Sequence, residues 1–145
     1  MTNIQIPKAP APIGAYEACV IRNGMGAVSG QFPIQDGNLL YPGQVGQDIS
    51  IDEAKVAIEI ATLNVLAQVK QATNNFANLE GLVRLDGYIA SCNGFYQQAE
   101  VIDVASELLL KVLGDKGKHA RTAFSVLQLP LNASVELVVT FAVKP

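Results

Sequence analysis

One histidine, two cysteines and three arginines are the scarce reactive side chains of this 145-residue sequence, and their settings decide what chemistry is open to it. His119 is the single possible base for a Ser-His-Asp or Cys-His system. It falls in the polar Lys116 to Lys118 turn, where an ordinary exposed histidine is expected. Cys19 and Cys92 have β-like or turn neighbours and no adjacent cation, so both are expected to be buried structural thiols. Neither has the spacing of a metal or redox motif. Gly24-Met25-Gly26 reads as a turn, and no Walker loop or dinucleotide fingerprint occurs. The sequence predicts neither a metal nor a cofactor.

Arg121 is the informative residue. It opens a strand, between Ala120 and Thr122-Ala123-Phe124. A guanidinium stays ionised when desolvated, so a covered one needs a carboxylate from the protein or from a ligand. An interface salt bridge to Glu17, Glu136 or Asp86 is one reading. A bound anion is the other. Glu136 is expected on the same face and raises the same question.

The elements that must position these residues follow from periodicity and punctuation. Cys19-Val20-Ile21 and Ala27-Val28-Ser29-Gly30 read as strands joined by an Asn23-Gly24 hairpin turn. Phe32 to Asp48 reads as a long loop with a short strand near Asn38 to Tyr41. Ser50 and Glu53 have capping-box spacing, and the helix they open runs to about Ala72. Its solvent stripe is Lys55, Glu59, Thr62 and Lys70, and the rest is apolar enough to be covered on more than one side. A strand from Leu82 to Ser91 comes next. A second helix, Gln98 to Leu113, shows its solvent stripe at Glu100, Asp103, Glu107 and Lys111 and stops at Gly114. Arg121 to Leu129 and Ser134 to Val143 are the last strands.

This order, β-β-α-β-α-β-β, predicts an α+β sandwich with two helices on one face of the sheet. Val135, Leu137, Val139, Phe141 and Val143 are assigned to the helix side, leaving Glu136, Val138, Thr140 and Ala142 on the other. Phe124 and Val126 are expected to point at the helices, which puts Arg121, Ala123, Ser125 and Leu127 on the second face. That face is too apolar for water, and a second copy of the chain is its cheapest cover.

Composition bounds the rest. With 50% hydrophobic and 16% charged residues, the chain is a single self-sufficient domain over residues 1–145, not a disordered segment. Its net charge of −3 and its scattered basic residues argue against nucleic acid as a partner. No apolar run approaches a membrane span, and the proline-rich Met1 to Pro12 arm does not read as a signal peptide. A cytoplasmic protein is expected.

Five segments, in order, resemble the RidA/YjgF family of reactive intermediate deaminases, also called endoribonuclease L-PSP. They are Pro12-Ile13-Gly14-Ala15-Tyr16, Ser29-Gly30-Gln31 with Pro33, Ala120-Arg121-Thr122-Ala123, Leu129-Pro130 and Val135-Glu136. The resemblance implies a chorismate-mutase-like fold, a homotrimer, and a ligand site in each cleft between subunits. It also implies hydrolysis of 2-enamino or 2-imino acids to 2-oxo acids and ammonia. Arg121 would hold the substrate carboxylate and Glu136 the water. Tyr16 would line the pocket, with Ser29, Gly30, Asn93 and the backbone of Ala123 contributing contacts. The alternatives are a metabolite-binding trimer of the same fold without catalysis and, behind it, an RNA-cleaving protein. Three departures stand out: the longer Phe32 to Asp48 loop, His119 where proline is usual, and Ala123 where cysteine is frequent.

Strand arithmetic adds one expectation. If Leu129 pairs with Ser134 in a terminal hairpin, Arg121 and Glu136 lie roughly 20 Å apart along it. A working site then needs Arg121 of one subunit and Glu136 of its neighbour.

Overall fold

The computed structural model describes residues 3–145, so Met1 and Thr2 of the expected arm lie outside the described residues. Seven strands and two helices follow in the order β1 (Cys19–Arg22), β2 (Met25–Gln31), β3 (Ile34–Gln35), β4 (Asn38–Leu39), α1 (Ile51–Ala72), β5 (Leu79–Ala90), α2 (Gln98–Leu113), β6 (Ala120–Val126) and β7 (Val135–Val143). The expected α+β architecture is present: a mixed sheet in the order β1-β2-β7-β5-β6, with both helices on one face. The anticipated long loop contains a small β3–β4 hairpin, turned at Asp36-Gly37 with positive φ at both residues.

The start of α1 is fixed locally. Ser50 Oγ accepts from the Glu53 N–H at 3.1 Å, and the Glu53 carboxylate accepts from the Ser50 N–H at 3.0 Å. Two otherwise orphaned donors are thereby satisfied. Beyond the cap the helix is buried almost all round. Ile58, Val65, Leu66 and Val69 belong to the main core. Thr62, expected in the solvent stripe, is fully buried instead, its hydroxyl satisfied by the Ile58 carbonyl at 2.6 Å. On a further side Asn64 donates to the Phe32 and Ile34 carbonyls, and Gln68 donates to that of Pro10. These bonds tie the loop and the N-terminal arm to the helix.

In β7 the alternation holds: Val135, Leu137, Val139 and Phe141 are fully buried against the helices, while Glu136, Val138, Thr140 and Ala142 face the other way. In β6 the expected faces are reversed. β6 does not pair with β7; it runs parallel to β5, with Leu85 opposite Arg121, Gly87 opposite Ala123 and Ile89 opposite Ser125. Because Leu85 and Ile89 are core residues, their register partners Arg121, Ala123 and Ser125 point toward the helix layer. Phe124 joins Tyr88 on the open face, the rings stacked at 5.2 Å.

The cause is connectivity. A strand–helix–strand crossover on one face places its strands side by side and parallel, and β5–α2–β6 is such a unit. β6 takes the free edge of β5, and β7 must enter on the other side, between β5 and β2. The segment after β6 is therefore a crossing, with a 3-10 turn at Pro130–Asn132, rather than a hairpin loop.

No described element packs across the open face, where Met25 and Phe124 are each more than 40% exposed. No helix among the described residues is long and apolar enough to cross a membrane.

Candidate functional site

The predicted site residues fall into two groups on opposite sides of the sheet. The first is built on the β6 edge. Arg121, at the second residue of β6, reaches over to α2 and donates from Nη1 to Asp103 Oδ1 at 2.7 Å and to Ser106 Oγ at 3.2 Å. This corrects the expected partners as well as the expected face. Asp86 is held by Arg84, which also reaches Thr122, and neither Glu17 nor Glu136 pairs with Arg121. Asp103, expected in the solvent stripe of α2, does lie there. The reversed strand brings the arginine to it.

Only one nitrogen of the guanidinium is used. Among the described residues Nε and Nη2 make no hydrogen bond, so one edge of the fork is free to receive a second planar anion. Two residues along the same face, Ala123 borders a cleft of about 510 Å³ that Asn93, Ser125, Tyr96 and Gln98 also line. Asn93 is exposed on the loop between β5 and α2. Arg121, Ala123 and Asn93 therefore share one edge of the molecule.

The second group gathers around Glu136. Its side chain lies on the open face directly over Gly30, where an added Cβ would come within 2.6 Å of the carboxylate carbon. An added side chain there would push the carboxylate out of its place. Beside it Ser29 donates its hydroxyl to the Glu17 carbonyl at 2.7 Å, pinning the arm against the bulged end of β2. Tyr16, on that pinned segment, lines a cleft with Ser29 and Gly30. In register, Gly30, Glu136, Tyr88 and Phe124 form a row across four strands.

Glu136 has no salt-bridge partner among the described residues, and desolvation pushes its carboxyl above the usual range. A raised folded pKa means that ionisation opposes folding. Stability is fully present below the unfolded value and is lost as pH rises through the folded one. Glu136→Gln is thus expected to be more stable than the parent at pH 7, with the difference vanishing on acidification below the carboxylate range. Urea unfolding midpoints at pH 7 and pH 3.5 check this.

Arg121 and Glu136 of one chain do not meet. They lie two strands apart, about 10 Å across the sheet and about 10 Å along it, and point to opposite faces. The hairpin arithmetic was mistaken in topology and in the distance along the strands, although the two side chains are apart.

Sequence reasoning missed Asp103, Ser106 and His119 as neighbours of Arg121. His119 is half-buried, not an exposed turn residue, and lies 2.9 Å from Ser106 Oγ. The usable signal was two matched spacings: i and i+2 entering a strand, facing i and i+3 on a helix. Cys19 and Cys92 are half-buried free thiols, and burial raises the pKa of Cys19.

Comparison with known proteins bears on the whole chain. Residues 1–144 match the family described as "YjgF/chorismate_mutase-like, putative endoribonuclease". The chain belongs to the YjgF family. Protein Atu1372 of Agrobacterium tumefaciens is 36% identical with a TM-score of 0.90, over 98% of this chain and 87% of that one. A Shewanella oneidensis protein is 33% identical with a TM-score of 0.91, over 96% of this chain and 92% of its own. A RutC family protein of Aquifex aeolicus is 32% identical over 94% of this chain and 95% of its own. Membership supports a small-molecule-processing role in general terms.

Proposed function

We propose that this protein hydrolyses reactive 2-imino and 2-enamino acids to 2-oxo acids and ammonia, in clefts between the subunits of a homotrimer. The observation that carries the reading is the split site: a half-free guanidinium edge on one side, and a half-buried carboxylate without a cation on the other. A neighbouring chain docked against the uncovered sheet face would bring the two together, and the apolar character of that face favours such a partner.

The chemistry asks little of the protein. The free edge of Arg121 takes the substrate carboxylate as a bidentate pair and fixes the imine carbon. An enamine first tautomerises to the imine, which is electrophilic once protonated. Water adds to that carbon while Glu136 of the adjacent subunit accepts its proton. Glu136 then returns the proton to the amine nitrogen; as the C–N bond breaks, the Glu136 carboxylate takes the hydroxyl proton and passes it to the departing ammonia, so that ammonium and the 2-oxo acid leave. A carboxyl raised by burial suits both steps. Tyr16, Ser29 and Gly30 line the Glu136 side, and Asn93 and Ala123 the Arg121 side.

The second reading, a carboxylate-binding trimer without turnover, is favoured by the Asp103 carboxylate already on Arg121. Freshly generated 2-aminoacrylate separates the two readings: ammonia and pyruvate are expected to form faster with protein than without. Binding of pyruvate with no acceleration would leave the second reading.

A further inference from the structure

Of the two polar atoms that touch Nη1 of Arg121, Ser106 Oγ is itself held, and its chain of contacts runs in one direction. His119 Nδ1 lies 2.6 Å from the Gly117 carbonyl, which can only accept, so Nδ1 carries the proton. In the neutral ring Nε2 is then the acceptor, and the Ser106 hydroxyl at 2.9 Å donates to it. That direction leaves the lone pairs of Ser106 Oγ facing the Nη1–H of Arg121 at 3.2 Å. The base of the chain is firm as well. Gly117 is buried against α2, where a Cβ would approach the Leu109 carbonyl oxygen to 2.5 Å. That packing fixes the turn whose carbonyl is aimed at His119.

A serine hydroxyl on a histidine ring also resembles a nucleophile and its base, but this one lacks the rest of the apparatus. Ser106 lies in the interior of α2, where backbone N–H groups are committed to the helix and none can serve an oxyanion.

We infer that Ser106 and His119 are positioning residues: with Asp103 they hold one side of the Arg121 guanidinium so that its Nε–Nη2 edge stays free for a carboxylate. The inference rests on the proposed function for the identity of that carboxylate, though not for the ordering of the arginine itself.

The test uses the full-length protein and pyruvate as the probe. Ser106→Ala suits the helix and removes one hydrogen bond to a charged group. It is expected to weaken pyruvate binding about tenfold by calorimetry, and to raise KM for 2-aminoacrylate similarly with a smaller change in kcat. Ser106→Thr, which keeps the hydroxyl, is expected to restore most of the loss, and His119→Ala to reproduce it. Lys111→Ala, on the exposed stripe of the same helix, serves as the control and should leave binding unchanged. Nitrogen-detected NMR of the free proteins reads the ordering directly: distinct Nη1 and Nη2 signals for Arg121 in the parent, averaged in Ser106→Ala. Equal pyruvate affinity in parent and Ser106→Ala would overturn the inference and leave the proposed function intact. If the parent binds no pyruvate, the proposed function falls instead. The NMR comparison then decides alone, unchanged signals overturning the positioning role and averaged ones supporting it.

Discussion

Arg121→Lys is expected to lower kcat/KM for imine hydrolysis by about 100-fold, nearly as much as Arg121→Ala, although lysine keeps the charge. A hundredfold loss corresponds to about 2.7 kcal/mol of transition-state stabilisation, within reach of one or two charge-assisted hydrogen bonds. The guanidinium does two things at once: Nη1 is spent on Asp103 and Ser106, and the remaining edge is left for the ligand. An ammonium has no fork with two edges. In the variant it would settle on Asp103 as a point charge, with no second edge left for the ligand. The loss is expected in kcat as well as KM, because a carboxylate held at one point no longer fixes the imine carbon against the water. Coupled detection of ammonia and pyruvate measures it. Uncatalysed hydrolysis in the same buffer sets the floor. A lysine variant within threefold of the parent would show that charge alone suffices and that the free edge has no role.

Much of the fold was legible in the sequence, because local signals and the global arrangement agree. The capping box at Ser50 and Glu53 and the stop at Gly114 closed the helices where expected. The alternation in Val135–Val143 correctly divided core from open face. What failed was the orientation of Ala120–Val126. Its residues are of middling polarity, without a face that periodicity can select, and as an edge strand it has no fully buried position. A shift of one residue turns every side chain over. Only the crossover through α2 fixes the register, and reading that requires knowing which strand lies next to which.

The consequence for the site is specific. With Arg121 assigned to the open face, Glu136 is a natural partner and Asp103 an ordinary solvated charge. With the strand turned over, the arginine acquires a carboxylate, a hydroxyl and, through it, a histidine. Glu136 is left with neither cation nor side-chain hydrogen-bond donor among the described residues. The five family-like segments named the right residues to examine, since those are matched by type and order. They carried no information about which side of the sheet each occupies, and that is what separates the set into two halves.

Two inactive variants should therefore restore each other. If each working site takes its arginine from one subunit and its glutamate from the next, neither Arg121→Ala nor Glu136→Gln alone has an intact site. In a trimer reassembled from equal amounts of the two, a site is intact only when the Arg121 position comes from the Glu136→Gln chain and the Glu136 position from the Arg121→Ala chain. Random cyclic assembly makes that true of about a quarter of the sites. Activity is expected to rise from near background to about 25% of the parent after joint unfolding and refolding, and to stay at background when the two are mixed without subunit exchange. The double variant Arg121→Ala/Glu136→Gln refolded with the parent gives the complementary check. Under the same rule parent sites survive only where both contributing subunits are parental, so activity per parental chain falls to about half. A site contained within one chain predicts no rescue in the first experiment and no loss per parental chain in the second.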